Sequence, residues 1–266
     1  MSVLLQNPIR RLSQEDFHGL DYRVMDIVFK MHNELGRHLD EKIYERELAY
    51  RLSAAGIQAQ MQVPLGLYFE DYKTTLFVDL LVEGSTIYEL KAGSALAPAH
   101  RAQALSYLFL TDTRHGKLVN LGTPRVEHEF VSTSLSFDDR RQFEIVDRKW
   151  IASGNAGRLR EFIIALARDW GVFLECSIYR NAVVHCFEGE QKVHLPVELF
   201  YEGRSLGAQE MDLIDADSLF AITAFKEDLG GIRAHFVRTL HLARLRCLHW
   251  INFNKRSLEF ESLIDT

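Results

Sequence analysis

The chain has 266 residues, 47% hydrophobic and 26% charged, which is material for one large core or two of ordinary size. Its net charge is −6, divided as −3 and −3 between residues 1–133 and 134–266, which excludes a broad basic face for non-specific duplex binding but not a local basic groove. No apolar run approaches the length of about eighteen residues that spans a bilayer, so no membrane helix is expected. The opening residues lack the charge-then-apolar order of a signal peptide. Cys176, Cys186 and Cys247 form no CxxC pair and read as free thiols of a cytoplasmic protein.

Residues 1–12 read as an irregular lead-in. Ser13 is a candidate helix N-cap with Asp16 three residues on, and the apolar positions Val24, Met25, Ile27, Val28, Met31 and Leu35 then recur at helical spacing up to Gly36. A second helix is predicted from about Asp40 to Gly56. Glu41, Tyr44 and Leu48 share one of its faces, where a buried carboxylate requires a cation or a donor; alternatively Glu41 is exposed and only Tyr44 and Leu48 pack. Strands are predicted over 57–69, 74–82 and 86–91. A helix follows over about 98–110, with His100, Gln103 and Tyr107 on one face, and then strands over 117–122 and 126–133. Strand–helix–strand at the end implies a parallel crossover, so the class is α/β or α+β with a mixed sheet.

The stretch from Asp79 to Lys91 organises this half. Glu83-Gly84 is a turn signal between two apolar runs, so they form a hairpin. Glu89 and Lys91, two apart on a strand, point the same way, and the hairpin can bring Asp79 beside them. Two carboxylates and an amine suit a hard divalent cation and a water made nucleophilic next to it. Solvated surface charge is the plainer alternative.

The second half repeats the order of the first. Pro64, Asp79 and Asn120 pair with Pro196, Asp212 and Asn252, while Gly36, Tyr44 and Gly56 pair with Gly171, Tyr179 and Gly189, at offsets between 132 and 135. Such offsets indicate a tandem duplication. By sequence alignment Ile222 and Ala224 stand opposite Glu89 and Lys91, Cys176 opposite Glu41, and Arg238 roughly opposite Gln103. The second copy therefore keeps the scaffold and Asp212 but loses the polar set. Residues 141–157 are the expected linker, giving domains over 1–140 and 154–266.

Residues 21–132 resemble the GxxExxY proteins, a small bacterial branch of the PD-(D/E)XK nuclease-like superfamily. The likeness rests on LGRHLDEKIYERELAYRL (35–52), VPLGLYFEDY (63–72), VDLLV (78–82), IYELKA (87–92), HRAQALSYL (100–108) and KLVNLG (117–122). His38 stands where the motif has its first glycine, and Val78 precedes Asp79 in place of proline. The resemblance implies a restriction-endonuclease-like core, a mixed sheet flanked by helices, in two tandem copies forming an intramolecular pseudo-dimer in a monomeric chain. It implies Asp79 and Glu89, with Glu41, as ligands of Mg²⁺ or Mn²⁺. It implies Lys91 as the residue that orients or activates the attacking water, with Gln103, Tyr107 and Tyr44 in supporting places. The expected function is metal-dependent hydrolysis of nucleic acid, DNA or RNA, by the first copy. The alternative is a non-catalytic nucleic-acid- or protein-binding module on the same scaffold.

Overall fold

In the computed structural model, which describes residues 3–5 and 8–265, the chain divides into two units, 1–137 and 138–266. In the first unit Ser13 caps helix α1 (Gln14–Leu35) by accepting the Asp16 amide at 3.1 Å. Gly36, with φ 73°, ends it in a backbone region that costs glycine little, and α2 (Glu41–Ala54) follows. The strands are β1 (Val3–Leu5), β2 (Ala59–Phe69), β3 (Tyr72–Val82), β4 (Thr86–Lys91), β5 (His115–Asn120) and β6 (Glu127–Ser132), with α3 (Pro98–Thr111) between β4 and β5. They form one sheet in the order β1-β2-β3-β4-β5-β6. Only the β4–β5 pair is parallel, as the crossover through α3 requires.

The lead-in is not wholly irregular, because β1 lies antiparallel on β2 with Val3 opposite Leu67. Three residues are too few to display a period. Leu80, Val82, Tyr88, Leu90 and Val119 pack beneath α1 and α2 against Val24, Val28, Met31, Leu48 and Leu52. Alternation turns Asp79, Glu89 and Leu118 to the other face, which α3 covers with Ala104 and Leu108. With both faces covered, the first five residues of β4 are buried, Glu89 completely.

The second unit contains α4 (Phe137–Arg141, which begins at the boundary), β7 (Glu144–Asp147), α5 (Asn155–Trp170), α6 (Cys176–Cys186), α7 (Glu190–Val193), β8 (His194–Tyr201), β9 (Arg204–Asp215), β10 (Ser218–Thr223), α8 (Leu229–Ala243), β11 (Cys247–Asn254) and β12 (Ser257–Ile264). Its sheet order is β8-β9-β10-β11-β12-β7, again with a parallel pair, β10–β11, joined through a helix. The stretch read as linker holds α4's end and β7, which adds in parallel to β12. Arg140 enters the α5–α6 corner, where it donates to the carbonyls of Trp170 (2.9 Å) and Val172 (3.3 Å); burial lowers its pKa to about 10.

Two local devices recur. The Tyr44 hydroxyl donates to the Gly36 carbonyl at 2.6 Å, and the Tyr179 hydroxyl to the Gly171 carbonyl at 2.5 Å, each closing a helix–helix corner across eight residues. Asn120 accepts the Gly93 amide at 3.1 Å and Asn252 accepts the Phe225 amide at 2.9 Å, each tying the end of one parallel strand to the chain leaving the other. Each unit is thus a mixed α+β layer structure with a six-stranded sheet, consistent with a restriction-endonuclease-like fold. Among the described residues no helix is long and apolar enough to cross a membrane.

Candidate active site

Asp79 sits on β3, Glu89 and Lys91 on β4, and Glu41 at the first turn of α2. The fold brings them together. The Lys91 ammonium lies 2.7 Å from Glu89 Oε1, 3.7 Å from Glu41 Oε1 and 4.0 Å from Asp79 Oδ2. Asp79 Oδ2 also accepts the Leu90 amide at 2.9 Å, which fixes that carboxylate against β4. The hairpin sets Asp79 beside Glu89 and Lys91, and Glu41, with a side-chain exposure of 40%, is ion-paired to Lys91 rather than hydrogen-bonded.

The cluster crowds carboxyl groups around one ammonium. Glu89 is fully buried, and its Oε2 has no hydrogen-bond partner among the described residues. Burial first, and Asp79 second, raise its pKa to about 8, against the pull of Lys91. Burial likewise raises Glu41, with Lys91 opposing. Burial alone would lower Lys91, but Glu89, Asp79 and Glu41 outweigh it and hold the ammonium charged above its usual range. Three carboxylates therefore share one fixed positive charge, and one buried oxygen remains unsatisfied. Hard oxygen donors with an orphaned acceptor fit a divalent cation. Among the described residues no three Asp, Glu, His or Cys side chains stand at ligand spacing around a common point; the Lys91 ammonium lies within 4.0 Å of Glu89, Glu41 and Asp79.

Two members of the polar set were not foreseen. Glu45, one helical turn beyond Glu41 and only 4% exposed, accepts the Gln62 amide at 3.0 Å on both oxygens. Gln62 reaches on to Asp79 Oδ1 at 3.4 Å. Burial raises the Glu45 carboxyl while the Gln62 bond pulls it down. The i, i+4 spacing from Glu41 was the available signal.

Gln103 and Tyr44 are hydrogen-bonded to partners other than the cluster. Gln103 donates to the Tyr107 hydroxyl at 3.0 Å, and among the described residues no hydrogen bond joins it to Asp79, Glu89 or Lys91. Tyr44 is fully buried in the α1–α2 corner with its hydroxyl on Gly36, so it braces the helix that carries Glu41 rather than facing the carboxylates.

In the second unit, counting from the bridging asparagines corrects the register. Lys91 lies opposite Asn120 and Thr223 opposite Asn252, so Ala221 and Thr223, not Ile222 and Ala224, take the places of Glu89 and Lys91. The helix before the crossover ends in a left-handed residue in both units, Asp112 and Arg244, which sets His235 rather than Arg238 at the place of Gln103. Asp212 is held by Arg180 through Nε (2.5 Å) and Nη2 (2.6 Å), and by His194 at 2.7 Å.

Comparison with known proteins bears on the first unit. Residues 18–132 match the PD-(D/E)XK nuclease superfamily. The matched span contains α1 to β6 and every residue of the carboxylate–lysine cluster. No curated protein matches the chain. The solved structure of SSO0001 is 23% identical with a TM-score of 0.30, over 36% of this chain; the chain spans half the length of that protein.

Proposed function

We propose that the first unit hydrolyses phosphodiester bonds in nucleic acid at the Asp79–Glu89–Lys91 cluster, with Mg²⁺ or Mn²⁺ held by Asp79, Glu89 and Glu41. The observation that carries this reading is the buried Glu89 oxygen that has no partner among the described residues, beside Asp79 and inside a nuclease-superfamily match. A bound cation would neutralise charge on the phosphate and lower the pKa of a water it holds. The chain's own groups do the rest. The Leu90 amide fixes one oxygen of Asp79, and the sheet fixes Glu89 and Lys91 two residues apart on one face. Lys91, held charged, serves as a hydrogen-bond donor that orients water or a phosphate oxygen, and is ill suited to accept a proton as general base.

The second unit is read as a degenerate copy. The same order and sense of its five matching strands, the Tyr–Gly corner bonds and the bridging asparagines support tandem duplication. A scaffolding or binding role is favoured there, because Ala221 and Thr223 replace the glutamate and lysine. Incubating the full chain with single- and double-stranded DNA and RNA in Mg²⁺ tests the proposal. Cleavage is expected in wild type and not in Lys91→Ala, and cleavage that survives that substitution places the chemistry elsewhere.

A further inference from the structure

The central aspartate of each unit is approached from the same two places, and at one of them the charge is reversed. In the first unit, Met61 opposite Leu80 and Val63 opposite Val78 leave Gln62 facing Asp79 across the β2–β3 ladder. In the second unit His194 faces Asp212 directly. Gln62 stands two residues before Pro64 and His194 two before Pro196. The other contact comes from the residue after the corner tyrosine. Glu45 follows Tyr44, and Arg180 follows Tyr179. Glu45 engages Asp79 through Gln62, at 3.0 Å and 3.4 Å, whereas Arg180 grips Asp212 directly at 2.5 and 2.6 Å.

The consequence is electrostatic. Glu45 adds a second buried negative charge to the Asp79 neighbourhood, and Gln62 supplies donors but no charge. Among the described residues Lys91 is the one ion-pair partner of Asp79, Glu89 and Glu41. In the second unit the Arg180 guanidinium neutralises Asp212 with two parallel bonds and extends to Glu190 at 2.9 Å. Asp212 has no charge left to offer an added cation.

We propose that Glu45 and Gln62 are positioning residues that orient Asp79 and keep the first site short of positive charge, and that Arg180 is the second unit's permanent internal replacement for a metal ion. The roles of Glu45 and Gln62 rest on the metal-dependent reading of the first unit; the role of Arg180 does not. Gln62 holds Asp79 Oδ1 while the Leu90 amide holds Oδ2, so the carboxylate is fixed at both oxygens, and Glu45 in turn fixes the Gln62 amide.

The test is Mn²⁺ binding by the full chain, read by electron paramagnetic resonance, with the unfolding temperature measured in parallel. Wild type is expected to bind one ion. Glu45→Gln should weaken binding about 10- to 100-fold, the usual effect of removing a partner that orients a ligand. A purely structural Glu45 would lower the unfolding temperature and leave affinity alone. Glu45→Arg should bind no ion while remaining folded, since an arginine there can grip Asp79 as Arg180 grips Asp212. Arg180→Glu should gain one ion in the second unit, where Asp212, Glu190 and the new carboxylate would meet. Unchanged affinity in Glu45→Gln, or no added ion in Arg180→Glu, overturns the inference. If wild type binds no Mn²⁺, the proposed function and the positioning roles of Glu45 and Gln62 fall together, and the Arg180→Glu result alone decides the claim about Arg180.

Discussion

The sharpest structural prediction concerns a buried ion pair on the opposite side of the first sheet. The Lys117 ammonium lies 2.8 Å from Asp21 Oδ2, with the two residues 2% and 5% exposed. The Tyr88 hydroxyl donates to the other Asp21 oxygen at 3.1 Å, and Phe130 presents its ring 3.5 Å from the ammonium. Lys117→Met keeps the stem and removes the charge, leaving Asp21 buried with Tyr88 alone. Breaking such a pair costs about 3–5 kcal/mol. Adding Asp21→Asn, which keeps an acceptor for Tyr88, should return the pH 7 deficit to about 1–2 kcal/mol. Hydrogen exchange of peptides spanning β4 and β5 in the full chain reads the opening free energy of this unit. A double variant as damaged as the single one would refute the reasoning.

Three further outcomes follow from the geometry. His249, 3% exposed and bonded to Ser262 at 3.0 Å, has its pKa lowered by burial to about 4. Between pH 6.5 and 4 the unfolded chain binds the proton and the native one does not, so the second unit should lose about 3 kcal/mol as pH falls through that window. Trp150, whose ring centre is 5.0 Å away, should report this in its fluorescence, and His249→Asn should flatten it. Tyr44→Phe removes the bond to Gly36 and should cost about 1 kcal/mol in thermal or urea unfolding with no change in metal affinity; a large affinity loss would return Tyr44 to the site. A Cβ on Gly122 would fall 2.4 Å from the Gly93 carbonyl oxygen and 2.5 Å from the Ala92 carbonyl carbon, so Gly122→Ala should cost about 1–3 kcal/mol by the same unfolding measurement.

Much of this was legible in the sequence, for identifiable reasons. The helices carry long periods and marked ends, and Ser13, Gly36 and the Glu83-Gly84 turn act locally, so their effects follow from the neighbouring residues. The hairpin logic that placed Asp79 beside Glu89 and Lys91 depends only on strand alternation. Glu45 and Gln62 escaped because their meeting needs the packing of α2 over the β2–β3 ladder, which no local pattern encodes. Tyr44 looked like part of the site because it shares a helix face with Glu41, yet its hydroxyl turns back to Gly36. The misplaced partners Ile222 and Ala224 trace to the hairpin turn, which is one residue shorter in the second unit: Asp215 pairs with Ser218 where Val82 pairs with Thr86, so a constant sequence offset fails there. Residues β1 and β7 use only three and four positions, below any readable period.

The central claim is that the buried carboxylates of the first unit form a divalent-cation site. Calorimetric titration of Mg²⁺ or Mn²⁺ into the full chain and into Glu89→Gln tests it most directly, because Glu89 holds the one buried carboxylate oxygen without a partner among the described residues. One ion is expected per wild-type chain, and none in the variant. No binding by wild type, or equal binding by both, would contradict it.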